Sequence, residues 1–240
     1  MRKAVKRVAT NTEEEAHVRG FRDRPEAGRL LAQRLSSYAN RPDVLILALA
    51  RGGVPVGFEI AKALRVPLDV IVVRKLGLPG QEELAMGAIT TGGIQVLNDV
   101  VVDSLGIPQR VIESVASKER VELERRERLY RSGWPAQDVR GRTVIVVDDG
   151  LATGTTMRVA VAALRKQSAS RIIVAIPIGA VSTCQEMNRE ADEVVCLVTP
   201  EDLTAVGMWY EDFSQVSDPE VCDLLKQATG IWSTGPPVRK

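Results

Sequence analysis

Residues 144–156, VIVVDDGLATGTT, constrain this chain more than any other stretch. Four consecutive β-branched apolar residues, Val144 to Val147, read as a strand buried on both faces. Asp148 and Asp149 stand where that strand should end. A turn of small residues runs from Gly150 to Gly154, and Thr155 and Thr156 lead into a helical pattern over 157–166. In open α/β sheets, ligands gather beyond the carboxyl ends of the strands. A helix start with free backbone N–H groups binds anions, and glycine and threonine let a phosphate come close. The two acids repel the phosphate itself, so their partners are hydroxyl donors or a metal ion. The pattern asks for a ligand with a phosphate at one end and a diol, a cation, or both nearby. A sugar phosphate fits.

Other strand-then-turn patterns fit less well. A receiver domain also opens with a strand and two acids, but needs a phosphoacceptor Asp after the next strand. Here that strand, 172–176, runs into Pro177-Ile178-Gly179. A P-loop needs a Lys after its last glycine, and Thr155 follows Gly154 instead. A plain structural turn has no need of Thr153, Thr155 and Thr156 together.

A second glycine turn follows a second buried strand, residues 43–50, DVLILALA. Arg51-Gly52-Gly53 ends it, and Val54-Pro55 opens a helix through Leu64. The glycines at 52, 53 and 57 do not make the GxGxxG of a dinucleotide site. The following strand, 68–73, is expected to deliver Arg74 and Lys75 to the same sheet edge, where a nicotinamide cofactor's ribose would want an acid. A basic residue beside two glycines suits a second anion site.

The stretch 144–156 resembles the phosphoribosyl-pyrophosphate (PRPP) motif of type I phosphoribosyltransferases: an apolar strand, two acids, then a small/Thr/Gly/Thr loop, with every position filled. The resemblance extends from Phe21 to about Leu225 and is strongest at 144–156 and 50–53. It implies an α/β fold, a doubly wound and mainly parallel sheet flanked by helices, with a helical insertion and a C-terminal hood. It implies that Asp148 and Asp149 bind the ribose 2- and 3-hydroxyls, with Asp149 also a base toward the acceptor. Ala152, Thr153, Gly154, Thr155 and Thr156 would hold the 5-phosphate. Ala50, Arg51, Gly52 and Gly53 would form the pyrophosphate loop, which in that family commonly contains a cis non-proline peptide. Arg74 and Lys75 would contact pyrophosphate, sometimes across a subunit interface. The implied reaction is magnesium-dependent displacement of pyrophosphate from PRPP by a nitrogenous base. The magnesium would be held through PRPP itself, with Asp148 reaching it through water. Arg51 and Lys75 would stabilise charge on the leaving group. A regulator that binds PRPP without transferring it is the alternative from another class.

Elsewhere, Pro25 suits a first helical turn, with apolar spacing to about Ala39 and the Asp23/Arg24 pair bracing the helix. Residues 88–97 read as a hairpin around Gly92-Gly93. The stretch 98–133 is expected to be an insertion. Its helix, from Pro108 to about Arg131, reads as solvated or interfacial and not core, laced by the pairs Glu122/Arg126, Glu124/Arg128 and Glu127/Arg131. Strands at 171–176 and 193–197 with a helix at 182–191 complete the alternation. Met208, Trp209, Tyr210 and Phe213 concentrate rings near the C-terminus. They serve either as fasteners of the terminal segment or, through Trp209 and Tyr210, as a base-stacking wall.

A chain of 240 residues, 45% hydrophobic, holds one such domain over 20–232, with 200–232 as the hood segment. A leader, 1–19, and a frayed tail, 233–240, flank it, and His17, the single histidine, falls in the leader. A net charge of +1 and interleaved acids and arginines point away from nucleic acid, and no apolar run has membrane-spanning length. Cys184, Cys196 and Cys222 lack metal or disulfide spacing, as expected of reduced thiols in a cytoplasmic protein. A homodimer is expected from the resemblance.

Overall fold

The structure, a computed structural model, describes residues 20–233. The expected leader with His17, and the tail beyond residue 233, lie outside the described residues.

Apolar runs form the parallel strands β1 (Val44–Leu49), β2 (Leu68–Ile71), β6 (Thr143–Val147), β7 (Arg171–Ile178) and β8 (Glu193–Val198), side by side in the order β2-β1-β6-β7-β8. Every residue of β1 and β6 is buried, as continuous β-branched and leucine runs require of strands covered on both faces. Alternate side chains feed two cores. Leu45, Leu47, Val144, Val146 and Ile172 pack under α5 (Thr155–Lys166) and α6 (Val181–Glu190). Ile46, Ile145, Val147 and Ile173 pack under α1 (Arg24–Arg34) and α2 (Gly53–Leu64). The chain winds from β1 toward β2 in one direction and from β6 toward β8 in the other. The β1/β6 junction is therefore the topological switch point, where open α/β sheets bind their ligands. Ala48 is in register with Val147, so the two strands deliver their following loops side by side.

The strand expected over 68–73 ends at Ile71. Thr91 takes both polar backbone groups of Val72: its hydroxyl accepts from Val72 N–H at 2.9 Å, and its own N–H donates to the Val72 carbonyl at 3.0 Å. The chain then leaves the parallel sheet for a separate antiparallel one, β3 (Val73–Leu78), β4 (Gln81–Thr90) and β5 (Ile94–Leu97). The hairpin at Gly92-Gly93 forms as expected, with both glycines at positive φ.

After α3 (Asp99–Ser104) comes α4 (Gln109–Arg131), which corrects the reading of a helix outside the core. Ile112, Ala116, Leu123 and Tyr130, spaced by four and then seven, form a narrow stripe buried against Leu76, Met86 and Ile89 of the hairpin sheet. Val111 and Val115 pack beside this stripe, and from Lys118 on most of the other residues are charged. The Glu122–Arg126 and Glu127–Arg131 pairs form at 2.8 and 3.2 Å. Arg131 also closes a buried pair with Asp69 at 3.0 Å and donates to the Val70 carbonyl at 2.7 Å, covering the β2 edge of the sheet. The described residues end on α7 (Asp218–Ser233), whose Val221, Cys222 and Leu225 share the core formed by α4.

Candidate active site

Two loops meet at the switch point. The first, residues 50–53, contains a cis peptide between Ala50 and Arg51, as the resemblance implies. It turns into α2 so tightly that a Cβ on Gly53 would lie 2.5 Å from the Val147 carbonyl, and one on Gly52 would overlap the Asp149 carboxylate. Glycine is required at both positions because the neighbouring strand's loop occupies the side-chain space.

The second loop carries the acids and the threonines. Leu151 is pinned to the end of β7: its N–H donates to Ile178, and its carbonyl accepts from Ala180 N–H. The Thr183 hydroxyl donates to the Ala152 carbonyl at 2.7 Å. Gly154 caps α5 at φ 72°, a left-handed conformation that suits glycine. Thr153, Thr155 and Thr156 are exposed around this helix start, with the Thr153 and Thr155 hydroxyls 3.4 Å apart. The first amides of α5 thus face outward with hydroxyls beside them, which is the arrangement of an anion cradle.

Between the two loops lies a cleft of about 360 Å³ lined by Arg24, Arg51, Gly52, Asp149, Phe213, Gln215 and Val216. Arg24 was expected to brace its own helix. Asp23 does that, accepting from Glu26 N–H at 2.7 Å, while Arg24 crosses 125 residues of sequence to place Nε 2.8 Å from Asp149 Oδ2. Its Nη1 donates to the Ser214 carbonyl at 2.8 Å, and its guanidinium carbon lies 3.9 Å from the centre of the Phe213 ring. A cation stacked on an aromatic face and paired with a carboxylate is held in one place.

The acids differ in their surroundings. Removal from water and the adjacent Asp149 charge push the Asp148 pKa well above the ordinary carboxylate range, and the Asp149 N–H that Asp148 accepts at 2.9 Å offsets this in part. Burial raises Asp149 too, while the Arg24 guanidinium opposes the rise. Arg24 pairs directly with Asp149 and reaches Asp148 only through its charge.

The C-terminal rings corroborate one of their two readings and correct the other. Tyr210 is not a free stacking surface. Its ring is buried between Phe21 and Phe213, at 5.4 and 5.1 Å, and its hydroxyl donates to the Asp149 carbonyl at 2.6 Å. It fastens the terminal segment to the acidic loop. Trp209 packs in the same small cluster and is absent from the cleft lining, whereas Phe213 lines it. Arg74 and Lys75 are also displaced from their expected place. They lie within β3, not beyond a parallel strand, and pair with Glu119 of α4 at 2.7 Å and Glu83 of β4 at 3.1 Å. Arg24, Phe213 and Asp218 (which faces Arg51 at 3.6 Å) belong to the site without any local motif to announce them.

No helix among the described residues is long and apolar enough to cross a membrane. Of the cysteines, Cys184 and Cys222 are buried and Cys196 is half-buried, all as free thiols.

A family model described as a phosphoribosyl transferase domain matches residues 24–211. Two curated Mycobacterium tuberculosis relatives, Rv0571c of strain H37Rv and MT0597 of strain CDC 1551, are provisionally named phosphoribosyl transferases. Each is 46% identical over 208 residues, covering 87% of this chain and 47% of its own length. The chain thus spans about half the length of the curated relatives it matches. The solved structure of TT1426 from Thermus thermophilus is 38% identical, covers 87% of this chain and 98% of its own, and superposes with a TM-score of 0.77.

Proposed function

The chain belongs to the phosphoribosyltransferase domain family, and from that premise we propose that it transfers the 5-phosphoribosyl group of PRPP to a nitrogenous base with release of pyrophosphate. The observation that carries this reading is the contact between the loops. The glycines of 50–53 sit directly against Val147 and Asp149, so the proposed pyrophosphate loop and Asp149 share one cleft, and the threonine loop begins a few residues beyond Asp149 along the chain. A single sugar with a phosphate at one end and a pyrophosphate at the other spans them.

In this reading the outward amides and hydroxyls of residues 152–156 hold the 5-phosphate. Asp148 and Asp149 accept hydrogen bonds from the ribose hydroxyls. Arg51 stabilises charge developing on the leaving group, and Phe213 and Gln215 wall the acceptor's side of the cleft. Asp149 reaches the acceptor as a base only by sharing its carboxylate with Arg24. A divalent cation fits the donor set: two adjacent carboxylates have one guanidinium between them, and no cluster of three metal-ligating side chains occurs among the described residues. Magnesium held mainly by substrate oxygens and water, with Asp148 reached through water, matches that supply of ligands. When bound, it neutralises charge on the pyrophosphate. Lys75, half-exposed on the hairpin sheet and off the cleft, meets a pyrophosphate most directly in a homodimer. Cytoplasmic placement belongs to the same reading, which the free thiols support.

The test is a titration of PRPP with magnesium, followed by a screen of purines, pyrimidines and orotate for pyrophosphate release. Release with one class of base is the expected result. Tight PRPP binding without release for any base would make the chain a sensor, and no PRPP binding at all would end the proposal.

A further inference from the structure

Arg51 stands at the mouth of the cleft, its side chain 31% exposed. A free arginine there would sample many rotamers and lose that freedom on gripping an anion. The fold gives it a fixed neighbour. Asp218 Oδ1 lies 3.6 Å from Arg51 Nη1, and the same oxygen accepts a hydrogen bond from the Tyr130 hydroxyl at 2.7 Å. Tyr130, in the last turn of α4, is 1% exposed, so its ring cannot swing. Burial and the Asp218 charge push its hydroxyl above the ordinary phenol range, which keeps it a donor. Asp218 sits in the first turn of α7, where an acid is favoured by the helix dipole, and Ser217 accepts from Glu220 N–H to cap that turn. The Cys222 thiol, pointed at the Leu129 carbonyl at 3.3 Å, ties α7 to α4 one turn further on.

We propose that Asp218 and Tyr130 are positioning residues, holding Arg51 in the attitude in which it grips the pyrophosphate of the substrate. The inference rests on the PRPP reading above. The spacing suits this role. At 3.6 Å the carboxylate attracts the guanidinium without capping it, so the other N–H groups of Arg51 remain available to a ligand. The arrangement also gives α4 a part in the site, because its buried end reaches the leaving-group loop through one hydroxyl and one carboxylate.

The test compares two ligands that differ only at the pyrophosphate. PRPP with magnesium and ribose 5-phosphate are each titrated calorimetrically into the full chain and its variants. Asp218→Asn removes the charge and should weaken PRPP about tenfold while leaving ribose 5-phosphate within about a factor of two. Tyr130→Phe, which leaves the acid of α7 in place and is the milder change to the fold, should weaken PRPP about threefold with the same selectivity. In an Arg51→Ala background, neither substitution should change PRPP binding further. Equal weakening of both ligands, tighter PRPP binding, no change in either, or full effects persisting without Arg51 would each overturn the assignment. A wild-type chain that binds neither ligand would remove the PRPP reading itself. One that binds PRPP normally, while the variants fail to discriminate, would remove only the positioning role.

Discussion

The two ends of the candidate site are built in opposite ways. The end proposed for the phosphate comes from one unbroken stretch, residues 150–156, folded on itself and pinned to the neighbouring strand end. The other end is assembled from afar. Asp149 meets Arg24 from α1, Gly52 from the β1–α2 loop and Tyr210 from the C-terminal segment, and Phe213 of that segment stacks on Arg24. The exposed threonines of the first end bear little of the fold's weight. The second end is also a packing junction, so its residues answer to stability as well as to ligand. Substitutions at the two ends should therefore separate into those that change binding alone and those that change folding.

The largest effect is expected from Asp149→Ala. Its carboxylate and the Arg24 guanidinium are 2.8 Å apart with side chains only 15% and 10% exposed, so removing one leaves a buried charge without its partner. A loss of about 3–5 kcal/mol in urea unfolding is expected, along with loss of PRPP binding. A loss below about 1 kcal/mol would place Arg24 among ordinary surface ions and dissolve the contrast between the ends. Next comes Gly53→Ala. Its new Cβ meets the Val147 backbone carbonyl at 2.5 Å, a neighbour that cannot rotate away, and overpacking of this kind costs about 1–3 kcal/mol. Unchanged stability would mean that the junction gives more easily than its close contact implies.

Thr155→Val sharpens the contrast from the other side. Thr155 is exposed at the first turn of α5, and its hydroxyl contact is with Thr153 at 3.4 Å. The substitution should weaken PRPP about tenfold, the scale of one hydrogen bond to a charged group, and leave the melting temperature unchanged. A drop in melting temperature with binding intact would invert the assignment of roles.

How much of this was legible beforehand follows the same division. Strands β1, β6, β7 and β8, the acids, the glycine turns and the threonine loop are local patterns, and each lies where its pattern places it. The alternation of strands and helices announces a doubly wound sheet, while the β1/β6 adjacency is read from the structure. Arg24 could be read only as a helix brace, because nothing in its own turn reveals a partner 125 residues away. Tyr210 carried the signal of an aromatic near a site, and burial between two further rings decided against stacking. The strand carrying Arg74 and Lys75 is interrupted by Thr91, nineteen positions on, and no propensity at Val72 foretells that. The buried stripe of α4 is too narrow to stand out against its charges. Asp218 looks like any acid at a helix start until Tyr130 is placed beside it.

The smallest effect tests the two acids against each other, and it has the opposite sign. Among the described residues, no cation pairs directly with Asp148. Loss of water and the charge of Asp149 hold its pKa well above the ordinary carboxylate range, so the folded chain binds that proton more tightly than the unfolded chain does. The cost of ionising it is absent below the unfolded carboxylate value. It is complete above the raised folded value, and stability falls as pH rises between the two. Asp148→Asn removes the cost while its side-chain oxygen still accepts the Asp149 N–H. It should stabilise the chain by about 1 kcal/mol at neutral pH, and the gain should vanish below pH ~4. A gain that persists undiminished in acid would assign it to packing instead of charge. The same proton sets the ligand's dependence: wild-type affinity for PRPP should decline on acidification through the raised pKa, toward that of the asparagine variant at any pH. Parallel behaviour of the two proteins across the whole range would show that Asp148 does not reach the sugar.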